Sequence, residues 1–383
     1  MTPDAFAEAA AAGEPQSLRD VAFMRNALAI GRRNLGLTWP NPSVGAVLVS
    51  YASGAPVIVA RGVTQPGGRP HAERMAIDAA GPAARGATLY VTLEPCSHHG
   101  RTPPCAEAVI HAGVARVVYA LADPDPRVSG RGAALLRQAG LAVTGRVEER
   151  EAARGHIGHV TRVTRGRPAV LLKLARTADG YAAAASNERL RITGALANAR
   201  VHLMRAHADA IMVGLGTVVA DDPRLTTRLP GLEHRSPVRV VVDSNLALPI
   251  DAQVVQSAGA PPTWILTTVD APVETERRLV AAGCEVMRVG ADANGRVRLD
   301  EGLRLIAARG VTRVFCEGGP ALAEGLAAAD LVDALAIATG PRRLDAAGLA
   351  AVGPALARHI ETRLTLHAEE PAGEDLFQFY ERA

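Results

Sequence analysis

Pro70-His71-Ala72-Glu73 and Glu94-Pro95-Cys96-Ser97-His98-His99-Gly100-Arg101-Thr102-Pro103-Pro104-Cys105 are the two segments on which the first half of the chain is organised. His71, Cys96 and Cys105 are metal ligands by type, and Glu73 is an acid/base. A catalytic zinc takes three protein ligands and keeps a fourth position for water, whereas a structural zinc is closed by a fourth ligand. A closed site would have no use for Glu73. Two alternatives stand beside the catalytic reading: a structural zinc with unrelated thiols, and His98 or His99 in place of Cys105.

The two-residue offset between His71 and Glu73 matches the H-x-E…P-C pattern of zinc deaminases, in which the glutamate moves protons and does not ligate. Bound zinc lowers the pKa of its water to about 7. Hydroxide can then attack an amidine-like carbon, with Glu73 protonating the ring nitrogen and the departing amine. The spacing departs from the general pattern, because Cys105 follows Cys96 by nine positions where three is usual.

At 383 residues with 48% apolar content, the chain has length and hydrophobic material for two domains. A net charge of +3 with both signs interspersed gives no basic block that would track a phosphate backbone, so nucleic acid is not an expected partner. No window is long and apolar enough for a membrane span. Four cysteines, two assigned to metal, describe a reducing compartment without a disulfide framework, and a cytoplasmic protein is expected. Every one of the 42 basic residues is arginine except Lys173. That exception marks a place where a compact ammonium is needed and a planar guanidinium would not serve.

Local patterns predict an α/β chain in two parts. Residues 1–16 are expected to be a disordered tail. Ser17 and Asp20 are candidate N-caps for a helix ending at Gly36, and Asn41, between two prolines, offers its amide to a heterocycle edge. Strands at 45–49, 57–62, 88–93, 114–120 and 141–144 alternate with helices opening near His71 and running from Arg131 to Ala139, which implies an α/β/α sandwich over 17–147. Both zinc-binding segments should open helices, where N–H groups favour thiolate. A helical connector follows over 148–167, and a second α/β domain spans 168–383.

In that second domain Lys173 lies inside an apolar strand, so its ammonium should have a partner, for which Glu317 at another strand's end is the candidate. Thr217 to Arg228 is expected as a polar loop. Gly318-Gly319-Pro320, between a strand and a helix, leaves N–H groups for a phosphate. Val242-Asp243-Ser244 puts polar groups at a strand's carboxyl end, where open α/β sheets bind nucleotides. No G-x-G-x-x-G fingerprint is present.

With Asn41-Pro-Ser-Val-Gly, His71-Ala-Glu73 and the Glu94 to Cys105 run in hand, the chain closely resembles the bifunctional riboflavin biosynthesis enzymes. That family joins a diaminohydroxyphosphoribosylaminopyrimidine deaminase to a 5-amino-6-(5-phosphoribosylamino)uracil reductase. The second half shares in the resemblance through Leu172-Lys-Leu-Ala, Asp179-Gly180, Thr217-Val-Val-Ala-Asp-Asp-Pro, Val242-Asp-Ser and Glu317-Gly-Gly-Pro. It implies a cytidine-deaminase-like first domain, a dihydrofolate-reductase-like second domain, Zn2+ and NADPH as cofactors, small phosphoribosyl pyrimidines as substrates, and a homo-oligomer, dimer or tetramer. By position it assigns His71, Cys96 and Cys105 to zinc, Glu73 to proton transfer, and Asn41, His98 and Arg101 to substrate. In the reductase it assigns Lys173, Arg189, Thr193, Arg205, Leu225, Arg228 and Glu317 to substrate, with Arg205 and Arg228 suited to its phosphate. Ala175, Thr177, Arg191, Thr217, Asp221, Ser244, Gly319, Pro320, Ala321 and Leu322 fall at cofactor positions.

One segment departs from the family: where a Ser-Gly-Glu-Ser-Gln-Trp-Ile-Thr type run is usual, Arg191 takes the tryptophan position and Arg189 a serine position. These arginines either meet phosphate or cover a solvated rim. The rival from another class, a nucleic-acid base deaminase with an RNA-binding second domain, calls for stacking aromatics, and aromatics are only 3% of the chain.

Overall fold

A computed structural model describes residues 16–100, 103–185 and 190–382, which divide into a first unit ending at Arg165 and a second beginning at Gly166. Of the tail expected over 1–16, residues 1–15 lie outside the described residues, as do Arg101 and Arg189, while Gln16 opens the first helix.

The first unit runs α1 (Gln16–Gly31), β1 (Gly45–Ser50), β2 (Val57–Val63), α2 (Ala72–Ala80), β3 (Thr88–Leu93), α3 (Cys105–His111), β4 (Arg116–Leu121), α4 (Arg131–Gln138), β5 (Ala142–Thr144), α5 (Glu149–Gly155) and α6 (Ile157–Arg165). Its sheet has the order β2-β1-β3-β4-β5; β1 is antiparallel to both neighbours, and β3, β4 and β5 are parallel. Alternation along each strand separates two cores. Ala46, Leu48, Leu89, Val91 and Val117 pack with Ala72 and Ala76 of α2, Ala106 and Val109 of α3 and Leu136 of α4. Val47, Val49, Tyr90, Val118 and Ala120 face Phe23, Met24, Ala27 and Leu28 of α1 and Ala152 of α5. The expected three-layer sandwich is therefore present.

Three local expectations differ. Helix α1 begins at Gln16, so Asp20 lies within it and is no N-cap; buried there, it accepts from Tyr90 Oη at 2.9 Å and from both terminal nitrogens of Arg116 at 2.8 and 2.6 Å. A Cβ on Gly31 would come 3.1 Å from the Gly45 nitrogen, and α1 ends at that close approach, before Gly36. The segment expected as a connector forms α5 and α6, which belong to the first unit.

The second unit runs β6 (Ala169–Arg176), β7 (Tyr181–Ala184), α7 (Ala195–Ala206), β8 (Ala210–Gly214), α8 (Leu215–Asp221), β9 (Val238–Val242), α9 (Gln253–Gln256), β10 (Thr263–Thr268), α10 (Val273–Ala281), β11 (Glu285–Val289), α11 (Leu299–Ala308), β12 (Arg313–Cys316), α12 (Pro320–Ala328), β13 (Ala334–Thr339), β14 (Gly348–Ala350), α13 (Pro354–Arg363), β15 (Leu364–Ala372) and β16 (Asp375–Arg382). Its main sheet has the order β11-β10-β9-β8-β12-β6-β13-β16-β15 and is parallel from β11 to β13. The antiparallel hairpin β15–β16 closes one edge. From β8 the chain crosses to β9, while from the adjacent β12 it crosses past β6 to β13. The loops leaving β8 and β12 thus diverge, which is the switch-point arrangement that opens a crevice at strand carboxyl ends. The stretch expected as a loop after β8 starts instead as helix α8, which contains Thr217 and Asp221.

The amino-terminal edge of this sheet is pinned by buried carboxylates. Asp209 accepts from Thr312 N and Oγ1, both at 2.7 Å, and from Arg313 N at 3.0 Å. Asp333 accepts from Val170 N at 2.9 Å and from both terminal nitrogens of Arg167 at 2.5 and 2.9 Å.

In the first unit, β2 approaches α2 so closely that a Cβ on Gly62 would lie 2.1 Å from the Ala72 carbonyl oxygen and 2.6 Å from the Ala76 nitrogen. Nothing there is a movable side-chain tip. Gly62→Ala is expected to destabilise the first unit by about 1–3 kcal/mol or more, read as a lowered urea midpoint for Trp39 fluorescence in a Trp264→Phe background.

Candidate functional site

His71 is the N-cap of α2, with extended backbone (φ −72°, ψ 160°), and Glu73 follows in the buried first turn. Their two-residue offset puts ring and carboxylate at the same helix end. Cys96 comes from the loop after β3, and Cys105 is the first residue of α3. The helix-opening expectation therefore holds for His71 and Cys105, while Cys96 lies in irregular chain. His71 Nδ1 is 3.2 Å from Cys105 Sγ and 3.8 Å from Cys96 Sγ. These three donor atoms all lie within 4.8 Å of one another. Ligand atoms on a tetrahedral zinc, with bonds of about 2.3 Å to sulfur and 2.0 Å to nitrogen, are separated by roughly 3.5–3.8 Å, so the donor set fits that ion. Cys105, and neither His98 nor His99, completes the set; His99 Nε2 faces Glu107 at 3.4 Å.

The electrostatics divide the two thiols. Cys96 is pulled down to about 4, chiefly by the hydrogen bond from the Cys105 thiol, with His71 and the Cys105 N–H (3.3 Å to Sγ) adding to it. Cys105 is pushed well up by that same donated bond and by burial. Burial, reinforced by the charge on Cys96, raises Glu73 to about 7. A carboxyl of that proton affinity can take up and release a proton near neutrality.

Asn41 donates from Nδ2 to the Gly68 carbonyl at 2.9 Å, and among the described residues no donor reaches its Oδ1. Gly68 has φ +84°, and a Cβ there would meet Asn41 Nδ2 at 2.4 Å, so this contact requires glycine. His98 Nδ1 is buried without a hydrogen-bond partner among the described residues. Beneath the cluster, Glu94 accepts from Gly130 N at 3.0 Å and Ala133 N at 2.9 Å, anchoring the start of α4. Sequence reasoning left that role of Glu94 unseen; the signal was a buried acid after an apolar strand.

In the second unit, register sets Lys173 beside Glu317: Leu172 pairs with Cys316, and each next residue carries the charge. The expected ion pair between them is absent among the described residues. Glu317 is instead gripped in bidentate fashion by Arg205, from Nε at 2.5 Å and from Nη2 at 2.9 Å, while Arg205 Nη1 donates to the Thr226 carbonyl at 2.9 Å. A planar fork satisfies two carboxylate oxygens at once, which an ammonium cannot do. Three of the five guanidinium N–H groups of Arg205 are used in this way, and one on each terminal nitrogen remains. Lys173 loses proton affinity through burial, opposed by the Glu317 charge.

Around this cluster, Leu225 is buried with φ 55°, and Arg228 is exposed. Thr193 precedes Gly194, whose N–H donates to Asp375 at 2.7 Å. Thr217 Oγ1 accepts from Gly319 N at 3.2 Å, joining the start of α8 to the turn before α12, so one N–H expected to be free for phosphate is engaged. Gly319 caps α12, with Pro320 in its first turn, exposed Ala321 next, and Leu322 against Gly318. Ala175 lies opposite Ala338 in the sheet. Thr177 is buried, donates to Asp179 at 2.6 Å and accepts from Tyr181 N at 3.0 Å. Ser244 Oγ is occupied by Val297 N at 3.1 Å, and Asp243 by Leu248 N at 2.7 Å, so that strand end is internally satisfied. Asp221 and Arg191 are exposed. Sequence reasoning missed His202, which meets the backbone of Arg228 from α7.

A His-x-Glu and two-cysteine centre on an α/β/α sandwich, followed by a parallel sheet with a charged switch-point crevice, defines a deaminase fused to a reductase. Residues 18–121 match the cytidine and deoxycytidylate deaminase zinc-binding region, and residues 168–376 match the RibD C-terminal domain. The chain is 36% identical over 365 residues to the riboflavin biosynthesis protein RibD of Aquifex aeolicus, covering 95% of this chain and 98% of that one. Among solved structures, RibD of Acinetobacter baumannii superposes with a TM-score of 0.83 at 30% identity, covering 96% of this chain and 100% of that chain. The diaminohydroxyphosphoribosylaminopyrimidine deaminase/5-amino-6-(5-phosphoribosylamino)uracil reductase of Thermotoga maritima gives 0.80 at 31%, with the same coverage. The chain belongs to the RibD family of riboflavin biosynthesis proteins, and it is a bifunctional enzyme with a zinc-type deaminase unit and a reductase unit.

Arg205 and Glu317 are only 11% and 13% exposed. Arg205→Met is expected to cost the second unit about 2–3 kcal/mol, below the roughly 3–5 kcal/mol of an isolated buried pair because Lys173 still faces the carboxylate. Urea unfolding followed by Trp264 in a Trp39→Phe background measures it.

Proposed function

We propose that the first unit hydrolytically deaminates 2,5-diamino-6-(5-phosphoribosylamino)pyrimidin-4-one, and that the second reduces the ribosyl group of 5-amino-6-(5-phosphoribosylamino)uracil to ribityl, using NADPH. The observation that carries the first half is a buried Glu73 at the same helix end as His71, within reach of the Cys96 and Cys105 thiols. His71, Cys96 and Cys105 would hold Zn2+, which when bound supplies Lewis acidity and a low-pKa water. Glu73 has no place in the ligand set. Its role is to carry a proton to the ring nitrogen and then to the leaving amine, because burial raises its proton affinity while the helix end keeps it aimed at the site. Asn41 Oδ1 and His98 Nδ1, polar atoms without partners among the described residues, suit the heterocycle edge and the rest of the substrate.

In the reductase unit, NADPH supplies a hydride when bound. The turn from Gly319 to Leu322 and Thr217 in the first turn of α8 would hold it. Among the described residues Lys173 makes no ion pair or hydrogen bond through its ammonium and has only the Glu317 charge nearby, so it is suited to bind an oxygen of the opened ribosyl chain. Arg205 is committed to Glu317, and exposed Arg228 is the partner we assign to the phosphate. The reading includes a cytoplasmic homo-oligomer acting on small molecules; all four cysteines are free, and among the described residues no helix is long and apolar enough to cross a membrane. The nucleic-acid alternative is not favoured, since the whole-length relatives are riboflavin biosynthesis proteins.

Glu73→Gln should keep its zinc, measured by elemental analysis, while deamination falls about a hundredfold to ten-thousandfold. A near-normal rate would remove Glu73 from proton transfer. Chelation should stop deamination but leave NADPH oxidation intact when deaminated substrate is supplied, since every ligand lies in the first unit.

Lys173→Arg should slow NADPH oxidation about a hundredfold, as a displaced charge does in a positioned site. Following NADPH absorbance with deaminated substrate measures this, and a parental rate would make the lone lysine a compositional remnant.

A further inference from the structure

His202 and Arg205 lie on consecutive turns of α7, and both reach the same short segment after α8. Arg205 Nη1 donates to the Thr226 carbonyl at 2.9 Å, and the Arg228 backbone N–H donates to His202 Nδ1 at 3.2 Å. Between them the helix holds one acceptor and one donor of the segment that carries Leu225 and Arg228. The segment needs that hold: Leu225, a non-glycine residue, is kept at φ 55°, a left-handed conformation that persists only where the surroundings enforce it. Among the described residues Arg228 has no ion pair, and it is exposed, so its direction is set by its backbone rather than by a carboxylate.

We propose that His202 is a positioning residue of the reductase: by accepting the Arg228 backbone N–H at Nδ1, it aims the Arg228 guanidinium at the substrate phosphate. The proposal rests on the reading of Arg228 as the phosphate partner. Only the neutral ring can accept at Nδ1, since imidazolium carries a proton on both nitrogens. The groups that face the ring pull in two directions. Burial and the guanidiniums of Arg205 and Arg228 favour the neutral form, while the Glu317 carboxylate and the Thr226 carbonyl favour the charged one. The first set prevails and lowers the pKa below the ordinary imidazole value. The hold on Arg228 therefore persists through neutrality and is lost in acid, where the protonated ring has a donor to offer the Thr226 carbonyl and no lone pair for Arg228.

The test uses the full-length enzyme and steady-state reduction of deaminated substrate with and without its phosphate. His202→Leu should raise KM for the phosphorylated substrate about tenfold, the loss of roughly one hydrogen bond's worth of binding, with kcat and KM for NADPH within about twofold. The change should vanish with the phosphate-free substrate and in an Arg228→Ala background. His202→Asn places an amide oxygen near the Nδ1 position and should restore KM. Across about pH 5 to 8, where a histidine titrates, KM of the parent should rise only at the acid end, whereas KM of His202→Asn should show no such rise.

A fall in kcat with KM unchanged, or an undiminished KM effect in the Arg228→Ala background, overturns the proposal. If Arg228→Ala raises KM and His202→Leu does not, the proposal alone fails. If Arg228→Ala leaves KM for the phosphorylated substrate unchanged, the phosphate reading fails and takes the proposal with it. Should His202→Leu not fold, the pH profile of His202→Asn decides: an acid rise as large as the parent's overturns the role.

Discussion

Backbone N–H groups buried at the ends of helices and strands need acceptors, and in this chain acidic side chains supply them where the architecture is tightest. Glu94 holds the start of α4 under the first site, and Glu324 accepts from Ala355 and Leu356 at the start of α13. Asp209, just ahead of β8, ties that strand's start to β12, and Asp333 ties β13 to β6 and to Arg167. Each of these carboxylates sits where an orphaned N–H would cost on the order of 1–3 kcal/mol. Asp209 and Asp333 fix the amino-terminal edge of the large sheet, and so leave the carboxyl edge to carry groups chosen for chemistry.

At that carboxyl edge the charges are partitioned by shape. Lys173 and Arg205 both face Glu317, but only the guanidinium can match two carboxylate oxygens, so Arg205 takes the pair and the ammonium stays uncommitted. A chain that uses arginine at every other basic position keeps its lysine where a fork would be captured by the acid next to it. The deaminase centre is built by a comparable economy: one helix start presents both a donor to metal and a proton carrier, and a second helix start turns its N–H toward Cys96.

Close backbone contact places these groups. Gly62 lets β2 lie against the first turns of α2, and a Cβ on Gly132 would fall 2.0 Å from the Pro95 carbonyl oxygen, next to Cys96. Both glycines act through the space they leave rather than through unusual φ, and neither is marked by a turn motif. The two ends of the metal cluster are therefore seated by positions whose importance is invisible until the elements are packed.

From sequence alone, the alternation of apolar strands with helices was legible because period and burial coincide in parallel sheets, and β3 falls at the expected residues. The His71, Glu73, Cys96 and Cys105 set was legible because metal chemistry restricts residue type and helix geometry restricts the offset. What only the tertiary structure decided were matters of partner and register. Asp20 looked like a helix cap and is a buried ion-pair partner of Arg116; Glu317 looked like the ion-pair partner of Lys173 and accepts its two hydrogen bonds from Arg205. The β15–β16 hairpin and the β7–β14 pair went unseen because half-exposed strands lack a continuous apolar run. Residue type states what a side chain can bond, but which of several competent partners it meets depends on strand register and helix contacts between positions more than a hundred residues apart.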